Sequence, residues 1–276
     1  MIIGYRKDVE DVLRAAIALK REPGATLVYG RDARDVRAKL AHYSGDVKLM
    51  VSEVVPEVPT AVKLRLRERP PRVGSRCQPS MHAYIEYALR HRRCKPDELV
   101  GMLSAYYPDI GRALARSDQV SLKYFHMHSE VLAEIHRLQA YTRPCPAGDL
   151  MYVEICPEHF VTDLYLEWIA RRASDRASVV KAHRDYYLAN AHYLGYDQTF
   201  KEISPEEAKR LTGVIPGVDG SLWETFYDSQ AIESRRNAEY AKKMLPARCA
   251  QMSPEIRLER RKIEYGIPGR RLDDFF

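Results

Sequence analysis

The chain has 276 residues, 45% hydrophobic and 30% charged, with a formal net charge of +6 and a pI near 9.0. That length supports a real core in one or two domains, and the balance of apolar to charged residues excludes a disordered chain. No apolar run approaches a membrane span, and the charged opening MIIGYRKDVEDVL is wrong for a secretory leader, so a soluble, cytoplasmic protein is expected. The basic excess biases the surface toward anions, nucleic acid first among them.

Residues 8–22, DVEDVLRAAIALKRE, set Val9, Val12, Leu13, Ala16 and Ile17 at helical spacing behind a capping Asp8. ATLVYG reads as a buried strand, RDARDVRAKLAHYS as a helix and DVKLMVSEVV as a second strand. An N-terminal α/β subdomain over 1–55 follows. Residues 56–80 carry five prolines and five arginines, which no regular element tolerates apart from the short alternating piece VKLRLR. This stretch is the expected linker. Helices are expected over MHAYIEYALRHR, over KPDELVGMLSAYY and over the long segment after Asp118. DLMYVEI reads as a strand, DLYLEWIARRA as a helix and ASVVKAHRDYYLA as another strand. PEEAKRLTG is a short helix stopped by Gly213, and residues 221–245 form a long helix closed by Pro246. The fold class is therefore α/β or α+β, helix-dominated, with a small sheet covered by helices. The main domain runs over 81–262 and a tail over 263–276.

Five cysteines at irregular spacing argue against a disulfide framework and against a cysteine-only metal site. His126 and His128 lie two apart on a helix and point in different directions; His128 and His136 are separated by more than two turns. No metal site and no cofactor are assigned. Only two asparagines and six glutamines stand beside the dense charge, a composition that points to a thermophilic, archaeal source.

Three stretches go together. In SEVLAEIHRLQAYTRP, Val131, Ile135 and Leu138 form an apolar stripe, with His136 beside it as a half-buried structural histidine. Arg137 and Arg143 are the better candidates for an anion site. ICPEHFVTDLYLEWIARRASDRASVVKAHRDYYLA follows. In LWETFYDSQAIESRRNAEYAKKMLPARCAQMSPE, Arg235, Glu239 and Lys242 share one helix face and Arg236 and Lys243 the next. Such cations can track phosphates, each neutralised phosphate releasing a counterion.

The order EIHR, AYTR, PEH, a helix ending in RR, then W-x-x-F, AIESRRN, KKMLP and PE resembles an uncharacterised family of probable DNA-metabolism proteins, domain of unknown function 4130. The resemblance runs over roughly residues 120–256. It implies a genetic link to a radical-SAM DNA-repair protein and to a uracil-DNA-glycosylase-like protein. Relatives carry an RYW where this chain has Arg248, Cys249 and Ala250, which removes two aromatic rings that could stack on a base.

The last six residues, RLDDFF, resemble the peptide by which replication and repair proteins dock on a sliding clamp (PCNA). Leu272, Phe275 and Phe276 would fill the clamp's apolar pocket from one side of a 3₁₀ turn. Gly269 stands where the pattern has glutamine. The expected function is a DNA-binding protein of DNA repair recruited by the sliding clamp, with Arg137, Arg143, Arg184, Arg235 and Lys243 on phosphates. Two alternatives stay open. One is a glycosylase-like or nuclease-like enzyme using Glu134, His136 or His183; the other is a non-catalytic partner of a radical-SAM protein.

Overall fold

In the computed structural model, which describes residues 1–44, 46–67, 79–213, 260–261 and 264–265, the chain divides into two units, Met1–Ala133 and Glu134–Phe276. The first is built on three parallel strands, β1 (Ile2–Arg6), β2 (Thr26–Gly30) and β3 (Lys48–Met50), in the order β2-β1-β3. Two helices, α1 (Val9–Arg21) and α2 (Ala33–Ala41), connect them. Aspartates start both: Asp8 accepts a hydrogen bond from the Asp11 amide and Asp32 from the Asp35 amide, each at 2.9 Å. The central strand alternates. Ile3 and Tyr5 join Val12, Leu13 and Ile17 of α1, while Ile2 joins Val28 and the α2 residues Val36 and Leu40. The two helices therefore cover opposite faces of the sheet, as doubly wound connections require.

Two expectations for this unit need correction. DVKLMVSEVV is a strand only through Met50 and then a short helix, α3 (Val51–Val54). The Glu53 carboxylate turns back to accept the Met50 amide at 2.5 Å, one half of a capping box, and Val51 is buried. VKLRLR is helical, within α4 (Thr60–Arg67). Val62 is buried and Leu66 packs on the same core four residues on, while Leu64 between them is 61% exposed, so the helical period prevails over the apparent alternation. The core continues into α5 (Met81–Arg90), α6 (Pro96–Tyr106), a 3₁₀ turn at Ile110–Ala115 and the start of α7 (Gln119–Tyr141).

The second unit carries a five-stranded mixed sheet in chain order: β4 (Cys145–Ala147), β5 (Leu150–Ile155), β6 (Ser178–Ala182), β7 (Asp185–Ala189) and β8 (Phe200–Ile203). Only β5 and β6 are parallel, joined through α8 (Thr162–Arg172). One face packs Tyr152, Val179, Leu188 and Ile203 against Ala208 of α9 (Pro205–Thr212). ASVVKAHRDYYLA is not one strand but a hairpin, with Ala182 opposite Asp185 and the turn at His183–Arg184. A buried Asn190 closes α8, its amide donating to the carbonyls of Ala170 and Ala173 at 2.9 Å each. Among the described residues no helix is long and apolar enough to cross a membrane.

Candidate functional site

Between α5 and α6 the sequence runs Arg90-His91-Arg92-Arg93-Cys94-Lys95, the densest basic run among the described residues of the first unit. A turn this charged is normally loose; here a histidine pins it from below. The His91 ring is fully buried and its Nδ1 accepts the Arg93 backbone amide at 3.1 Å. That acceptor role places the proton on Nε2, which donates to Glu130 Oε2 of α7 at 2.8 Å. The Cys94 amide donates to the His91 carbonyl at 3.0 Å, closing the turn.

The basic turn and α7 line an open cleft of about 520 Å³. Its lining combines three cations, Arg93, Lys95 and Lys123, with the carboxylate of Glu130 and the apolar side chains of Leu122 and Met127. Arg93 has a 68% exposed side chain and lies 3.5 Å from Glu130. Lys123 Nζ pairs with Glu98 at 2.5 Å, and that partner holds the Glu98 carboxyl below its usual range. The arrangement suits a ligand with an anionic part and an apolar or aromatic part. The run is visible in the sequence as four cations in six residues between two helix patterns, and it is separate from the five cations expected on phosphates.

The predicted catalytic candidates all fall in the second unit. Glu134 on α7 is 2% exposed, and its two oxygens accept the amides of Glu158 and His159, each at 2.8 Å. This is the geometry of an anchor for the PEH loop: one buried carboxylate answering two successive backbone donors. His136 is exposed on α7 rather than half-buried. His183 opens the β6–β7 turn with a left-handed φ of 56°. Its Nε2 lies 2.7 Å from the Pro157 carbonyl and its Nδ1 lies 3.5 Å from Cys156 Sγ. The structure thus brings Glu134 and His183 to the two sides of one short loop, 156–159, and leaves His136 apart from it.

Of the predicted phosphate contacts, Arg143 donates to the Ala140 and Thr142 carbonyls at 2.9 and 3.2 Å, at the C-terminal end of α7. Arg137 is half-buried on α7, and Arg184 is exposed at the tip of the β6–β7 hairpin. Arg235, Lys243, Leu272, Phe275 and Phe276 lie outside the described residues.

What the fold and the cleft define is an α/β protein with a doubly wound three-stranded sheet, a mixed five-stranded sheet and a groove lined by basic and apolar side chains. Residues 98–255, more than half of the chain, match the family described as Domain of unknown function (DUF4130), and the chain belongs to that family. Among curated proteins none matches it.

Proposed function

We propose that the chain is a DNA-binding protein of DNA repair or DNA metabolism, recruited by a sliding clamp through its RLDDFF tail. The observation that carries the DNA reading is the cleft beside the pinned basic turn. Arg93, Lys95 and Lys123 line it for phosphates, and Leu122 and Met127 in the same lining meet the apolar face of a base or sugar. The pI near 9.0 supplies a long-range attraction of the same sign.

Fluorescence anisotropy with labelled single- and double-stranded oligonucleotides, over a series of salt concentrations, tests the DNA reading. Binding should weaken steeply with salt; affinity that is absent, or indifferent to salt, removes the proposal. Clamp recruitment is a separate question. A pull-down on the host's clamp should retain the full chain and lose a chain trimmed of residues 269–276. Equal retention of both would remove the tail's proposed role.

A further inference from the structure

We propose that Cys156 and His183 form a thiol–imidazole pair that makes Cys156 a nucleophilic site for alkylating electrophiles, an sp³ carbon bearing a leaving group. The pair arises from sheet register. β5 and β6 run parallel with Ile155 opposite Ala182, so the next residue on each strand, Cys156 and His183, leaves the carboxyl edge of the sheet side by side. This is the edge at which parallel strands present functional groups.

The hydrogen-bond geometry fixes the proton positions. A carbonyl oxygen can only accept, so the 2.7 Å contact with Pro157 places a proton on His183 Nε2. Nδ1 then carries the lone pair, and it faces the Cys156 thiol at 3.5 Å. A nucleophile, a base within reach of it and a third group orienting the base are together the requirements of an activated thiol. The backbone supports the same reading. His183 holds a left-handed φ of 56°, a conformation that residues with a Cβ rarely adopt, and in it the ring meets both Cys156 and Pro157. His183 is exposed and Cys156 partly so, so a small reagent reaches the sulfur.

The step balances without a further reactant. The Sγ proton passes to Nδ1, giving thiolate and imidazolium. The thiolate attacks the carbon, an S–C bond forms, and the leaving group departs with its bonding pair. The imidazolium then returns its proton to water. The two other described cysteines lack this arrangement. Burial pushes the Cys94 thiol up to about 11 and raises that of Cys145, whose Sγ faces the Arg143 carbonyl at 3.4 Å.

Iodoacetamide labelling of the full native chain, followed by site-resolved mass spectrometry, provides the test. At pH 7 Cys156 should react at least about ten-fold faster than Cys94 and Cys145. Its rate should fall far less between pH 8 and pH 6.5 than the roughly ten-fold per unit of an unassisted thiol. His183→Asn removes the base while keeping a residue that tolerates the left-handed turn, and should cost at least about ten-fold in the pH 7 rate at Cys156 alone. Equal rates at the three cysteines, or a Cys156 pH profile that follows simple thiol ionisation, would overturn the proposal even if the variant failed to fold.

Discussion

At the scale of single residues, the most exacting position is His128. It is 5% exposed, lies 5.4 Å from the Tyr87 ring and 5.8 Å from Phe125, and its Nδ1 has no hydrogen-bond partner. Burial lowers its pKa from 6.5 to about 4. The unfolded chain therefore takes up a proton at pH values where the folded chain does not. The neutral ring's stabilisation is complete above pH 6.5 and is lost as pH falls toward 4, by about 3 kcal/mol in all. In urea titrations from pH 7 to pH 4, His128→Phe should lose less stability than the parent; parallel losses would refute the assignment. Glu134 makes a second residue-scale prediction. Removing its carboxylate breaks two charge-assisted hydrogen bonds from the Glu158 and His159 amides, so Glu134→Ala should cost about 3 kcal/mol and Glu134→Gln less. Unchanged urea midpoints in both would show that the loop stands without its anchor. The sequence singled out Glu134 and His183 by residue type. It could not show that Cys156 meets His183, because that contact depends on the register of two strands 27 residues apart.

At the scale of elements, sequence periodicity carried α1, α2, α5, α6, α7, α8 and α9 close to their observed bounds, because each repeats apolar residues every three or four positions and all but α8 follow a recognisable cap or proline. Strands were harder. β1 is only five residues, IIGYR, and its alternation is masked by a glycine that has a packing task. A Cβ on Gly4 would stand 2.5 Å from Val36 Cγ1, so the missing side chain lets α2 lie against the sheet. The His183–Arg184 turn contains no glycine, asparagine or proline, and the hairpin was invisible for that reason. Gly30 offers the sharper test of the α2 contact. A methyl group there would meet the Val36 backbone nitrogen at 2.7 Å, which cannot rotate away. Gly30→Ala should lower stability by about 1–3 kcal/mol in chemical denaturation, and an unshifted midpoint would contradict the close packing.

At the scale of the whole molecule, composition pointed to an anionic partner before any element was placed, and the blocks from EIHR to MSPE pointed to the family. Which surface would take such a partner was not legible. The groove needs the Arg90–Lys95 turn, which the sequence shows only as a charged run, to be held against α7 by His91 and Glu130, 39 residues apart. The central claim is that this groove binds DNA, and the salt dependence of binding measures it most directly. Each lost phosphate contact should lower the slope of log K against log salt by about 0.9 on duplex or about 0.7 on single strands. For Arg93→Gln with Lys95→Gln, the account predicts weaker binding and a slope reduced by nearly two such contacts. Binding with unchanged affinity and slope in that double variant would place the DNA elsewhere and contradict the account.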